Sequence, residues 1–68
     1  MNYLVIIEKT DTGYSAYVPD LPGCITVGDT REEIKQYIEE AIQFHLEGLQ
    51  EDGLEIPEPS TEAVTVTA

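Results

Sequence analysis

Apolar and polar positions change their spacing twice along this chain. Every position from Tyr3 to Ile7 is apolar, apolar positions recur every three or four residues after residue 30, and they alternate from residue 61 onward. In the first stretch, NYLVIIEK, Tyr3, Val5 and Ile7 point to one side of an extended chain while Leu4 and Ile6 point to the other. Such a two-sided pattern predicts a central strand covered on both faces. The tetrapeptide TDTG, Thr10 to Gly13, reads as a hairpin loop with glycine placed for positive φ, and YSAYV, Tyr14 to Val18, follows as a second strand. A third short strand is predicted from about Cys24 to Val27.

Between the second and third strands lies PDLPG. Pro19 removes a backbone donor as the strand ends, Pro22 pushes Leu21 toward extended geometry, and Pro22-Gly23 suits the two central positions of a type II turn. The corner is therefore ordered by local chemistry before any partner meets it. Besides its structural role, it would offer Asp20 and Leu21 to a partner as a stiff rim.

DTREEIKQYIEEAIQFHLEGLQEDG, from Asp29 to Gly53, predicts one long amphipathic helix. Either Thr30 with Glu33 or Asp29 with Glu32 can form the capping box, and Gly53 is the natural stop. At about 100° per residue, Ile34, Ile38, Ala41, Ile42, His45 and Leu49 form one stripe, with Tyr37, Phe44 and Leu46 flanking it. Glu33, Glu40, Glu47 and Glu51 lie opposite. The helix leads into LEIPEPS, an extended connector stiffened by Pro57 and Pro59, and then into TEAVTVT, residues 61–67, whose period of two predicts a final strand. Helix and connector together are long enough to bring that strand back parallel to an earlier one. The predicted class is α+β, in the order β-β-β-α-β, with one domain over residues 1–68.

Composition narrows the function. Fourteen acidic residues against three basic ones give a formal net charge of -11, which repels phosphate backbones and attracts cationic proteins. Direct nucleic-acid binding is not expected. One cysteine forms no internal disulfide, and one Cys with one His falls short of a structural metal site, so a reducing cytoplasmic setting without a cofactor is expected. The apolar run at the start has strand length rather than membrane length and no basic segment before it, so neither a leader peptide nor a membrane partner is expected. A domain this small buries only about 60% of its unfolded surface, which favours self-association. Two-metal hydrolysis needs carboxylates converging from several elements; here the first strand is apolar and the helix acids face away from the core stripe. No catalytic or metal-ligating residue is assigned. His45 is expected as a core or interface residue, and Cys24 as a small packed hydrophobe.

The segments GYSAYVPDLPGCITVGDTREE (Gly13 to Glu33), IEEAIQFHLEGLQEDG and IPEPS (Ile56 to Ser60) together resemble the HicB-like antitoxin domain of prokaryotic toxin-antitoxin pairs. The resemblance implies a partial ribonuclease-H-like fold without the nuclease carboxylates. It also implies a non-enzymatic, dimeric or tetrameric protein that neutralises a small basic HicA-like toxin with a double-stranded-RNA-binding fold and messenger-RNA-cleaving activity. Longer relatives carry a C-terminal DNA-binding module, for which residues 1–68 leave no room, so autorepression is not expected of this chain alone. Under this reading Asp20, Leu21, Glu40, Glu47 and Glu51 are the expected partner-binding residues. The competing reading is an orphan oligomeric domain that takes a small molecule or peptide in a groove beside His45 and the Pro19 to Gly23 rim.

Overall fold

Two short connections, residues 10–13 and 18–24, reverse the chain twice. In the computed structural model, which describes residues 1–68, they arrange β1 (Ile6–Lys9), β2 (Tyr14–Tyr17) and β3 (Ile25–Gly28) as an antiparallel meander in the order β1-β2-β3. Tight turns between successive strands necessarily put the second strand in the middle. β1 is thus an edge strand, which corrects the central position its two-sided apolar pattern suggested.

Cross-strand rows define the two faces of the sheet. Ile7, Ala16 and Thr26 share one row, and Ile6, Tyr17 and Ile25 share the next. Side chains alternate along each strand, so the first row faces the helix and the second faces outward. Ala16 is fully buried while Ile25 is 64% exposed, in keeping with that division.

Helix α1 (Arg31–Glu51) covers the inner face. Thr30 is the N-cap: its Oγ1 accepts the Glu33 N–H at 3.1 Å, which settles the choice between the two capping boxes. Gly53, at φ 68°, ends the helix; its N–H donates to the Gln50 carbonyl at 3.1 Å and the Leu54 N–H to that of Leu49 at 2.9 Å. This is a Schellman motif, with glycine supplying the left-handed residue. Ile34 and Ile38 carry the helix's buried side, with Ala41, Ile42 and Leu46 packed around them.

The PDLPG corner is as stiff as its prolines suggest. Leu21 O accepts the Cys24 N–H at 3.0 Å and Gly23 has φ 84°, which gives the type II turn; a second turn closes from the Leu21 N–H to Val18 O at 3.1 Å. Gly13 differs from expectation, because its φ is not positive. Close approach is what excludes a side chain there: a Cβ would collide with the Gly28 carbonyl oxygen and lie 3.1 Å from Asp29 Cα.

Residues 61–67 form no strand within the single chain. A strand requires a neighbour for its backbone donors and acceptors, and this segment has none; every residue from Glu58 to Ala68 is exposed. The final strand of the expected β-β-β-α-β order is therefore not formed. The connector before it is held in place, since Tyr3 Oη donates to the Pro57 carbonyl.

Candidate protein-binding surface

The five expected contact residues separate into three groups. Leu21 is fully buried beside Ala16, Val18, Cys24, Ile34 and Ile38, so it is a core residue and its side chain is not offered to a partner. Two turns within seven residues fold the corner back over the sheet end, and the one large apolar side chain in the loop follows the hydrophobic gain inward. The rim reading of Leu21 is corrected accordingly.

Asp20 faces inward along the surface, toward the chain's own connector. Its carboxylate accepts the N–H groups of Ser60 and Thr61 at 3.0 and 3.1 Å, and their hydroxyls at 3.1 and 2.7 Å. Hydrogen bonds to the charged form, led by the Ser60 N–H, lower its pKa from 3.8 to about 2. Asp20 thus acts as a clamp between the corner and the segment following the helix.

Glu40, Glu47 and Glu51 remain exposed on the outer face of α1. Glu40 accepts a hydrogen bond from Gln36 Nε2 at 3.2 Å, and one turn earlier Glu33 accepts from Tyr37 Oη at 3.0 Å. That bond and the negative charge of Glu33 push the Tyr37 phenol up. From Gln36 to Ala68 the chain carries eight carboxylates and no lysine or arginine.

Set into this acidic face is a residue that the sequence reading assigned to the flank of the core. Phe44 is 80% exposed. At about 100° per residue it sits only about 40° around the helix from Glu40 and about 60° from Glu47, far from the direction of Ile38. Its angular position was the available signal. An aromatic side chain ringed by carboxylates can fill an apolar recess while the acids meet surrounding cations, the usual division between an interface centre and its rim.

Other candidates fare differently. His45 is half-buried and lines none of the surface depressions; the shallow one at the corner is formed by Tyr17 to Ile25. The groove imagined beside both His45 and the Pro19 to Gly23 rim is therefore not formed. Burial pushes the Cys24 thiol up, which disfavours the nucleophilic thiolate. No three His, Cys, Asp or Glu side chains gather closely enough to hold a metal ion, and no helix is long and apolar enough to cross a membrane.

The sequence profile described as "HicB_like antitoxin of bacterial toxin-antitoxin system" matches residues 3–67. The chain belongs to the HicB-like antitoxin family. This HicB-like chain is 44% identical to a UPF0150 protein of Thermoplasma acidophilum over the whole length of both. It is also 41% identical to Antitoxin HicB 2 of Photorhabdus laumondii, covering 90% of this chain and 44% of that protein; a 14.9 kDa protein of Haemophilus phage HP1 is likewise matched over only 43% of its length. In the solved HicA3 and HicB3 toxin-antitoxin complex, one chain superposes with a TM-score of 0.76 at 37% identity, covering 88% of this chain and 70% of that one. The α+β arrangement of three antiparallel strands and one helix is similar to part of the HicB3 antitoxin crystal structure, with a TM-score of 0.73.

Proposed function

We propose that this protein is an antitoxin that neutralises a small, basic, HicA-like ribonuclease by lying across its cationic RNA-binding surface. The observation that carries the reading is Phe44, exposed amid Glu40, Glu47 and Glu51 on the half of the chain that has no lysine or arginine. Carboxylates steer the acidic helix to a basic partner and set its orientation. Phe44 then supplies the apolar contact that holds it. Substrate RNA is excluded because the same cationic groups cannot neutralise phosphates and carboxylates at once. The protein acts by occupancy, without turnover, and contacts no nucleic acid itself. Likeness to a chain of the HicA3 and HicB3 complex supports the choice of partner class.

Co-expression with the product of the adjacent gene tests this. Rescue of growth together with a complex that survives a sizing column is the expected result. Independent elution of the two proteins, with growth still arrested, refutes it.

A further inference from the structure

We propose that the depression between the β1–β2 hairpin and the first turn of α1 receives the guanidinium group of an arginine from a protein partner. Its use against a toxin rests on the reading above; the site itself does not. The depression measures about 350 Å³, at the small end for a ligand pocket and suited to one side chain. The hairpin contributes Thr10 and Thr12, the sheet Tyr14 and Gly28, and the helix start Asp29, Glu33 and Tyr37. Two glycines let these elements meet. A Cβ on Gly13 would strike the Gly28 carbonyl oxygen, and one on Gly28 would stand 3.3 Å from Ile34 N and 3.4 Å from Tyr37 Cδ2.

The lining chemistry selects the ligand. Glu33 Oε1 accepts from Thr30 Oγ1 at 3.3 Å and Oε2 from Tyr37 Oη at 3.0 Å, so the carboxylate is fixed while each oxygen keeps a further lone pair. Asp29 adds a second, exposed carboxylate, and Tyr14 and Tyr37 add two phenol rings. A planar guanidinium matches this set: it stacks on aromatic faces, donates in a fork to a carboxylate and is more weakly hydrated than an ammonium. A metal ion is poorly served, since no three carboxylate, imidazole or thiolate groups gather. The chain offers no cation of its own. Lys9 shares a cross-strand row with Tyr14 and Gly28 but does not line the depression, and Arg31 and Lys35 each lie about 160° around the helix from Glu33. The Tyr37 phenol is pushed up chiefly by its bond to Glu33 and that residue's charge, with Asp29 and Glu40 adding, so the local field favours a cation.

Placement agrees with a docking role. Glu40, Phe44 and Glu47 all lie within about 40° of Glu33 around α1, so the depression sits at the N-terminal end of the same helix face. From Glu33 to Phe44 the axis rises about 16 Å. A partner that lodges an arginine here and also covers Phe44 is held at two separated points, which fixes its direction along the helix. Either point alone leaves it free to swivel.

Titration of the isotope-labelled full chain with N-acetyl-argininamide at constant ionic strength, followed by amide chemical shifts, tests the site with no toxin present. Saturable shifts confined to residues 10–14, 28–33 and 37 are expected, with N-acetyl-lysinamide, of equal charge, binding at least about threefold more weakly. Glu33→Gln keeps the capping box, since glutamine also serves there, and should weaken arginine binding at least about fivefold. Tyr37→Leu, on the exposed side of the helix, should weaken it as well. A response that does not saturate overturns the proposal, as do equal binding of the two amides, shifts spread along Glu40 to Glu51, or indifference to Glu33→Gln. Any of these leaves the toxin reading standing, because co-expression and Phe44→Ala test that separately.

Discussion

Replacing Phe44 with alanine separates a binding role from a structural one. A whole phenylalanine side chain presents about 200 Å², and since 80% of Phe44 is exposed, about 160 Å² is available to a partner. At roughly 25 cal/mol per Å² the ceiling is about 4 kcal/mol. Alanine retains the Cβ and a real recess covers the ring incompletely, so a loss of about 2–3 kcal/mol is expected, or about 30- to 150-fold in Kd. Calorimetric titration against the purified basic protein encoded by the adjacent gene measures that change. Urea unfolding of the same variant should stay within about 0.5 kcal/mol of the parent, because so little of the ring is packed in the protomer. A change in Kd below about threefold would show that the ring is merely solvated and that the toxin is met by another face. A marked fall in stability would show instead that Phe44 packs in an assembly.

Reversing Glu40, Glu47 and Glu51 to lysine should slow association with that protein by about tenfold or more at low salt and remove most of its salt dependence, with dissociation changed less; stopped-flow rates unaffected by the reversal would exclude steering by this face. Leu21→Ala should cost about 2–5 kcal/mol, a large part of the roughly 3–10 kcal/mol typical of a 68-residue domain. A urea midpoint shifted by less than about 1 kcal/mol at fixed protein concentration would contradict its place in the core. Asp20 supports the connector most fully while ionised: its folded pKa lies below the unfolded value, so its contribution is complete above about pH 4 and drains away as pH falls from 3.8 toward 2. Protection of the Ser60 and Thr61 amides, measured against their intrinsic exchange rates, should fall over that interval, and Asp20→Asn should abolish the dependence; pH-independent protection would mean the clamp is not formed in solution.

What the sequence disclosed was chiefly local. Prolines, glycines and the threonine cap act within a few residues of themselves, so the PDLPG turn, the meander and both helix ends follow from adjacent chemistry. Apolar pattern proved less complete, because it reports which side chains avoid water and not which neighbour covers them. For β1 that neighbour is missing from the single chain, and residues 61–67 have strand character without a strand to join. Leu21 was misplaced for a related reason: a loop residue's burial depends on where the corner lands, which its flanking prolines do not specify. Glycine preference likewise mixes two causes, and at Gly13 the crowding by Gly28 comes from a strand fifteen positions away. Phe44 was legible in principle, since its angle on the helix aligns it with glutamates. Hydrophobicity alone drew it toward the core.

The two ties that hold the connector span 54 and 40 positions, from Pro57 to Tyr3 and from Ser60 to Asp20. Everything else joins consecutive hairpins to a helix that follows them directly. Contacts of short sequence separation form early and cheaply in entropy, and distant ones close last. In a folding chain, then, the sheet and the face bearing Phe44 can assemble before the connector is fastened. Fastening of the connector by Tyr3 and Asp20 comes last, and its loss would leave the sheet and helix in place.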